Sequence, residues 1–182
     1  MGQLMDSNSR RHCRRSIRLK GYDYGQPGAY FVTACTHLRA CLFGQVLEGR
    51  IRLNESGHIV RASWYDLPNH YAHVRLGAFV IMPNHVHGVI ALTEVGAGFK
   101  PAPTVVAKRH GLPEIVRGLK TFSSRRINEL RRTPRTPVWQ RNYYEHVIRG
   151  EDELNRVREY IDSNPARWLE DRYHPARIKQ SR

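Results

Sequence analysis

A pair of histidines inside a long apolar stretch restricts the fold of this chain more than any other feature. Residues 78–92 read AFVIMPNHVHGVIAL, and the apolar, β-branched residues on both sides of Pro83-Asn84 favour two strands joined by a turn. Proline cannot donate to a sheet ladder, so the turn is expected at 83–84. Side chains alternate between faces along a strand, so His85 and His87 point the same way and Val86 points into the core. The sequence therefore predicts half of a divalent metal site on a sheet.

The charge of the chain indicates its class of partner. Among 182 residues, 30 Lys and Arg stand against 16 Asp and Glu, which leaves a net charge of +14. Such an excess suits a polyanion, most simply nucleic acid, and the alternative is a basic surface without such a partner. Three cysteines without CxxC spacing indicate neither a disulfide framework nor a zinc motif. With no signal peptide and no apolar run near the roughly 20 residues of a membrane span, we expect a cytoplasmic, nucleoid-associated protein.

The remaining pattern predicts one α+β domain. Strands are expected over 29–36, 42–53 (a hairpin that turns at Glu48-Gly49), 74–82, 85–93 and 138–148. Helices are expected from Glu55 to about Tyr71 behind an Asn54 N-cap, from Pro113 to about 130, and from Gly150 to Asn164. This order predicts a ferredoxin-like or RRM-like antiparallel sheet with helices packed on one face.

Three segments differ from this domain, which is expected over residues 21–170. Residues 1–20 are predicted to form a basic N-terminal arm, and residues 171–182 a basic C-terminal tail. Residues 94–112 contain three Gly and two Pro and are expected to form a mobile loop. The arm and the loop are candidates for contact with phosphates or with a nucleic-acid stem.

The last predicted helix offers the other half of a metal site. Tyr160 and Asn164 are four residues apart, so they share one face of this helix, beside its apolar stripe. A helix packed on the sheet would bring Asn164 beside the two histidines and Tyr160 to the edge of the metal. Each residue also has a plainer interpretation: a hydrogen-bonded histidine pair, a packing tyrosine and a helix-ending asparagine.

The chemistry that suits these residues is phosphodiester cleavage by a tyrosine. A phenol with a pKa of about 10 is a weak nucleophile at neutral pH. A divalent cation on the phosphate would offset that weakness by stabilising charge in the transition state. Two neutral imidazoles and an amide oxygen add no ligand charge, so Mg²⁺ or Mn²⁺ bound together with the phosphate is the expected cofactor.

Four stretches of the chain resemble one known family. His85-Val86-His87 resembles the His–hydrophobic–His motif of the HUH endonucleases. The strings MPNHVHG, WQRNYYEHVIR and REYIDSNPARW are similar to the single-tyrosine transposases of the IS200/IS605 type, and more closely to the REP-associated tyrosine transposases (RAYTs). GYDYGQPGAYFVTACTH near the start is similar to the same group, so the resemblance covers roughly residues 17–170.

The resemblance implies a role for each candidate residue. His85, His87 and Asn164 would be metal ligands, and Tyr160 would be the nucleophile that forms a 5′-phosphotyrosine and frees a 3′-OH. Relatives of this kind cut single-stranded DNA beside a hairpin, which is a REP element for the RAYTs. A monomer is expected, with a homodimer as the alternative. Tyr143 and Tyr144 are rival nucleophiles, ranked lower because neither has a ligand at helical spacing.

A basic, aromatic stretch is the predicted DNA surface. Between Arg117 and Arg149 there are nine Lys and Arg against two acidic residues, mixed with Trp139 and the two adjacent tyrosines, which suits single strands. A solvated helix face is the alternative. The predicted DNA-binding residues are Arg117, Lys120, Arg125, Arg126, Arg131, Arg132 and Arg141, together with Arg14, Arg15 and Arg18 of the arm.

Two other functions compete with a transposase-like nuclease. One is a non-catalytic ferredoxin-like binder of single-stranded nucleic acid, and the other is a replication or conjugation nickase, which usually has a longer chain. The distance from the Tyr160 hydroxyl to the imidazoles separates catalysis from binding alone. A separation above about 10 Å would favour the binder, because a nucleophile must reach the bound phosphate.

Overall fold

The computed structural model describes residues 21–94 and 110–178. Its strands are β1 Gly28–Cys35, β2 Gly44–Leu47, β3 Arg50–Leu53, β4 Val74–Met82, β5 His85–Leu92 and β6 Tyr144–Ile148. Its helices are α1 Glu55–Tyr65, α2 Leu67–His70, α3 Leu112–Arg131, α4 Glu151–Ser163 and α5 Pro175–Ile178, with 3-10 turns at His37–Arg39 and Trp168–Glu170. The predicted basic arm, most of the predicted 94–112 loop and the last four residues of the predicted tail lie outside the described residues.

Four strands form one antiparallel sheet in the order β4-β5-β1-β6. The hairpin β2–β3 is a separate two-stranded ribbon. Without this ribbon, the chain order is β-α-β-β-α-β, which is the ferredoxin-like arrangement. The predicted α+β class and antiparallel sheet are confirmed, and so is the turn at residues 83–84 between β4 and β5.

The two faces of the sheet carry different helices. Tyr30 and Ile90 pack with Trp64 of α1 and Leu119 of α3 in one buried cluster. The alternate residues of the same strands, such as Val89, pack with Ile161 of α4 in another. The prediction of helices on one face therefore describes α1 and α3, whereas α4 covers the opposite face. Because His85 and His87 share the face of Val89, α4 lies on the histidine side of the sheet.

Two predicted elements are shorter than expected. The helix predicted from Glu55 begins behind its Asn54 cap, whose side chain accepts a hydrogen bond from the Gly57 amide, but α1 ends at Tyr65. Pro68 cannot continue a helix and instead lies in the first turn of α2. The strand predicted over 138–148 is interrupted. Trp139 forms an antiparallel bridge with Thr36, the carbonyls of residues 140–142 accept hydrogen bonds from the Lys120 ammonium, and regular pairing with β1 is found only from Tyr144.

No helix within the described ranges is long and apolar enough to cross a membrane. The longest one, α3, spans 20 residues but alternates a buried face with charged positions.

Gly88 of β5 lies under a stacked pair of aromatic rings, and this contact gives a test of the packing. The rings of Trp64 and Phe79 are 4.1 Å apart and nearly parallel, and a Cβ at residue 88 would lie 2.4 Å from the Trp64 ring. Gly88→Ala should therefore lower the free energy of unfolding by about 1–3 kcal/mol, measured by urea denaturation. The same substitution in a Trp64→Phe background should cost less, because the contacting ring atoms are absent. An equal cost in both backgrounds would contradict this packing.

Candidate metal centre and active site

Two buried imidazoles form the centre of the site. His85 and His87 leave 0% and 1% of their surfaces exposed, and their Nε2 atoms are 3.0 Å apart. Both rings lie on the α4 side of β5, as the strand alternation predicts. The two histidines therefore direct one nitrogen each at the same point.

Each imidazole is oriented by a hydrogen bond at its other nitrogen. Nδ1 of His85 is 2.8 Å from Oδ1 of Asn84, whose amide nitrogen donates to the carbonyls of Arg39 and Tyr173. Since those two carbonyls fix the Asn84 amide, its oxygen accepts from His85 Nδ1, and the lone pair of His85 is on Nε2. Nδ1 of His87 is 2.8 Å from Oγ1 of Thr33, its cross-strand neighbour. A hydroxyl donates or accepts, so Thr33 supports either tautomer of His87.

Burial keeps both histidines neutral. Desolvation, with the charge of the neighbouring imidazole and of nearby arginines, lowers the pKa of His85 to about 2. Desolvation and the charge of Arg172 lower the pKa of His87 to about 3. Neutral imidazole is the form that binds metal ions, so the sheet face presents two ligands in the competent state at neutral pH.

A carboxylate from the end of the chain completes this cluster. One ligand atom each of His85, His87 and Asp171 lies within 4.8 Å of the others, and Asp171 Oδ2 is 3.7 Å from His85 Nε2. The other oxygen, Oδ1, accepts a hydrogen bond from the Tyr173 amide at 2.6 Å. Burial raises the pKa of Asp171. The sequence predicts that residue 171 lies in a basic tail, and Asp171 is not recognisable there as a ligand because no periodicity links it to the histidines.

Helix α4 brings the predicted nucleophile to the same point. The Tyr160 hydroxyl is 3.3 Å from His87 Nε2, and its ring contacts both His87 and Phe31 edge-on. Tyr160 is 40% exposed, so it lies at the boundary between the buried site and the solvent. Burial and the charge of Asp171 raise the pKa of Tyr160, which keeps the phenol protonated.

Asn164 lies at the inner end of α4 beside this group. It is 4% exposed, and its Oδ1 has no hydrogen-bond partner among the described residues. Its amide lowers the pKa of both Tyr160 and Asp171 by hydrogen bonding, which partly offsets their burial. A buried amide oxygen without a donor is costly unless something occupies it, and a cation is one such group.

The donor set fits a divalent ion. One ligand atom from each of His85, His87 and Asp171 lies within 4.8 Å of the other two, a grouping that could hold one metal ion. The oxygens of Asp171 and Asn164 are the hard donors that Mg²⁺ and Mn²⁺ prefer. The residues present are therefore compatible with the ion that the sequence predicts.

The predicted DNA-binding residues that the structure describes lie on or beside α3, on the other side of the sheet from the histidines. Arg117, Lys120 and Arg141 line a groove of about 1210 Å³ between α3 and residues 135–143. Lys120 is engaged there, because its ammonium donates to the carbonyls of residues 140–142. Arg125 pairs with Glu129. The remaining ones on and after α3 are exposed: Arg126, Arg131 and Arg132. Arg14, Arg15 and Arg18 lie outside the described residues.

Comparison with known proteins places the chain in a family. No family model matches it. An uncharacterized protein of Haemophilus influenzae is 39% identical over 175 residues, which cover 90% of this chain and 94% of that protein. The chain belongs to the family of this Haemophilus protein.

The fold also has a solved counterpart. A REP-associated tyrosine transposase, solved bound to a REP hairpin, matches with a TM-score of 0.54 at 17% identity over 79% of this chain and 69% of that chain. The resemblance that these sequence motifs predict is therefore confirmed at the level of the fold.

The buried histidines make the stability of the metal-free protein depend on pH. Their folded-state pKa values lie below the value of about 6.5 in an unfolded chain, so below pH 6.5 the unfolded state binds more protons. In EDTA, the free energy of unfolding should fall as the pH drops from 7 to 5, by at most about 1.4 kcal/mol per pH unit for each histidine. Urea denaturation at several pH values measures this slope.

The matched control is a His85→Gln, His87→Gln double variant, because other groups, including Asp171, also titrate on acidification. The double variant should have a distinctly shallower slope. Equal slopes in the two proteins would show that the imidazoles are not held neutral by burial.

Proposed function

We propose that this protein is a metal-dependent, single-stranded DNA endonuclease and strand transferase that acts through a 5′-phosphotyrosine on Tyr160. The observation that carries the proposal is the 3.3 Å separation between the Tyr160 hydroxyl and His87 Nε2, at a buried cluster of two histidines and a carboxylate. A partly exposed nucleophile and a buried set of ligands meet at one point. The RAYT-like fold is consistent with this chemistry.

The metal would be held by His85, His87 and Asp171, with Asn164 contributing its amide oxygen. When bound, Mg²⁺ or Mn²⁺ would polarise the scissile phosphate and stabilise its developing charge. Thr33 and Asn84 orient the imidazoles, and such supporting hydrogen bonds usually matter for metal affinity nearly as much as the ligands do.

In the cleavage step, the Tyr160 oxygen bonds to phosphorus as the bond from phosphorus to the 3′ oxygen breaks. The phenolic proton leaves Tyr160, and the freed 3′ oxygen gains a proton, so the products are a 5′-phosphotyrosine and a 3′-OH. The reverse attack by a 3′-OH rejoins a strand without ATP, because the phosphotyrosine conserves the energy of the phosphodiester. Phe31 packs against Tyr160 and stacks on His87, which limits the orientations of the nucleophile.

We propose hairpin-bearing, REP-like single-stranded DNA as the substrate. The net charge of +14 supports a nucleic-acid partner, and the transposase of like fold was solved with a REP hairpin. The basic arm of residues 1–20, the 94–112 loop and the exposed arginines of α3 would contact the stem or its flanks. The domain, predicted over residues 21–170, would extend at least to Tyr173, because Asp171 and Tyr173 are buried beside the histidines.

A non-catalytic nucleic-acid binder is the competing function. Its hallmark would be a tyrosine hydroxyl more than about 10 Å from the imidazoles, and the observed separation is 3.3 Å. Tyr160 and both histidines also meet within one chain, which supports a site that works in a monomer. A homodimer that exchanges α4 is the alternative that a sedimentation measurement would reveal.

Tyr160→Phe tests the nucleophile. Incubated with a hairpin oligonucleotide and Mn²⁺, wild-type protein should form a covalent protein–DNA adduct on a denaturing gel, and Tyr160→Phe should lose it while keeping its affinity for the DNA. Tyr144→Phe is the matched control, since Tyr144 is an exposed tyrosine that also contacts Phe31. The adduct should persist in Tyr144→Phe. An undiminished adduct in Tyr160→Phe would contradict the proposal.

Asp171→Asn tests the metal centre without depending on activity. Removing one negative ligand should weaken Mn²⁺ binding at least about tenfold in isothermal titration, and His87→Ala should abolish both Mn²⁺ binding and metal-dependent cleavage. Glu170→Gln is the matched control, because the adjacent carboxylate is exposed and paired with Arg167. Equal Mn²⁺ affinity in Asp171→Asn and Glu170→Gln would remove Asp171 from the ligand set.

A further inference from the structure

Two arginines converge on one buried ring beside the histidines. The guanidinium carbons of Arg39 and Arg172 lie 5.1 Å and 4.7 Å from the centroid of the Tyr173 ring. That ring is 6% exposed, and its centroid is 4.7 Å from the His85 ring and 6.2 Å from the His87 ring. The two positive charges are therefore held at the wall of the candidate metal centre.

The two arginines come from distant parts of the chain but share one anchor. Arg39 ends the 3-10 turn after β1, and Arg172 follows Asp171. The amide nitrogen of Asn84 donates to the carbonyls of Arg39 and Tyr173, at 3.1 Å and 2.8 Å. The residue that orients His85 thus also positions both arginine-bearing segments.

The turn that presents Arg39 is conformationally costly. Leu38 and Arg39 both adopt left-handed backbone angles, with φ of 53° and 55°, which non-glycine residues rarely do. Hydrogen bonds hold the turn in place, from the Arg39 amide to the Thr36 carbonyl and from the Thr36 hydroxyl to the Ala40 carbonyl. Such strain persists where the surrounding structure requires it, and it is frequent at binding sites.

Among the described residues, neither of these two charges is paired with a carboxylate, in contrast to three exposed arginines of the protein. Arg125, Arg158 and Arg167 each pair with a glutamate. Within residues 21–94 and 110–178, Arg39 and Arg172 make no ion pair with a carboxylate, and the guanidinium of Arg172 donates only to the Tyr173 hydroxyl, at 2.7 Å. A guanidinium stacked on a ring keeps its N–H edge available for an anion.

The site's own charges favour one anionic group. Two arginines stand against the single carboxylate of Asp171, and the histidines are neutral, so the protein groups alone carry a positive surplus, which a bound divalent ion would increase. A phosphodiester carries one negative charge and offers paired oxygens that match the fork of a guanidinium.

We propose that Arg39 and Arg172, held on Tyr173, form a phosphodiester-binding site that fixes one backbone phosphate of the DNA beside Tyr160. This inference rests on the proposed function for the identity of the ligand, but binding of a phosphate there does not require cleavage. Arg39 and Arg172 are substrate-positioning residues in this account, and sequence analysis missed both.

The test uses binding by a Tyr160→Phe protein, so that no strand is cut. The probe is a fluorescein-labelled hairpin oligonucleotide with a single-stranded 5′ flank, made as a series in which each flank linkage in turn is a neutral methylphosphonate. Neutralising one particular phosphate linkage should weaken binding about tenfold, as expected for a charge-assisted hydrogen bond. We call this loss of affinity the linkage effect. In an Arg39→Gln, Arg172→Gln protein, neutralising that linkage should have no further effect.

Salt dependence gives a second readout. The slope of log affinity against log salt should become shallower by about 0.7 for each single-strand phosphate contact that the double variant loses. Arg158→Gln is the matched control, because it removes an exposed, glutamate-paired charge from α4, and it should retain the linkage effect. A linkage effect that persists in the double variant, or that Arg158→Gln equally abolishes, would overturn the proposal.

Loss of folding and loss of cleavage are each distinguished from loss of phosphate binding. If the double Gln variant has lost its cooperative thermal transition, the Arg39→Lys, Arg172→Lys protein is used in its place. This protein keeps both charges but loses the paired N–H donors of the guanidinium groups, so the linkage effect should weaken. An undiminished effect there would overturn the proposal. Loss of the linkage effect, in a protein whose Tyr160-containing form makes no adduct, would support this binding site while rejecting the nuclease function.

Discussion

The site depends on the register between β1 and β5. With Thr33 opposite His87 and Cys35 opposite His85, the sheet holds two imidazoles on one dry face and supplies a hydrogen-bond partner to one of them from the neighbouring strand. Burying two imidazoles is unfavourable unless they stay neutral and their nitrogens are satisfied. A slip of one residue would turn both rings to the opposite face and into the core beneath α1 and α3.

Asn84 links this sheet face to the rest of the site. Its side chain joins three parts of the chain that are distant from one another in sequence: the His85 ring, the turn at Arg39 and the carbonyl of Tyr173. It is fully buried, and each of these contacts satisfies a polar group that would otherwise be costly. The candidate ligands, the nucleophile on α4, Arg39 and Arg172 are therefore parts of one connected polar network. Its rigidity is what a site for positioned phosphoryl transfer requires.

Much of the fold follows from local pattern. The alternation around His85, the cap at Asn54 and the turn at 83–84 each specify an element directly, and these elements have the expected type. Long-range contacts account for the differences. Pro68 divides the helix predicted from Glu55, and the Lys120 ammonium withdraws the carbonyls of residues 140–142 from the sheet. The face of the sheet on which a helix packs is also set by long-range contacts, because the apolar stripe of α4 does not reveal which face it covers.

At the site, local periodicity predicts that His85 and His87 share a strand face and that Tyr160 and Asn164 share a helix face. The tertiary structure then brings these two pairs together in one chain, with the Tyr160 hydroxyl 3.3 Å from His87. It also added Asp171, Arg39 and Arg172, which no repeat spacing connects to the histidines. Asp171 and Arg172 reach the site because the chain after α4 folds back over the sheet, and Arg39 reaches it from the turn after β1. Hydrogen bonds of the assembled protein, and not local propensity, hold these segments there.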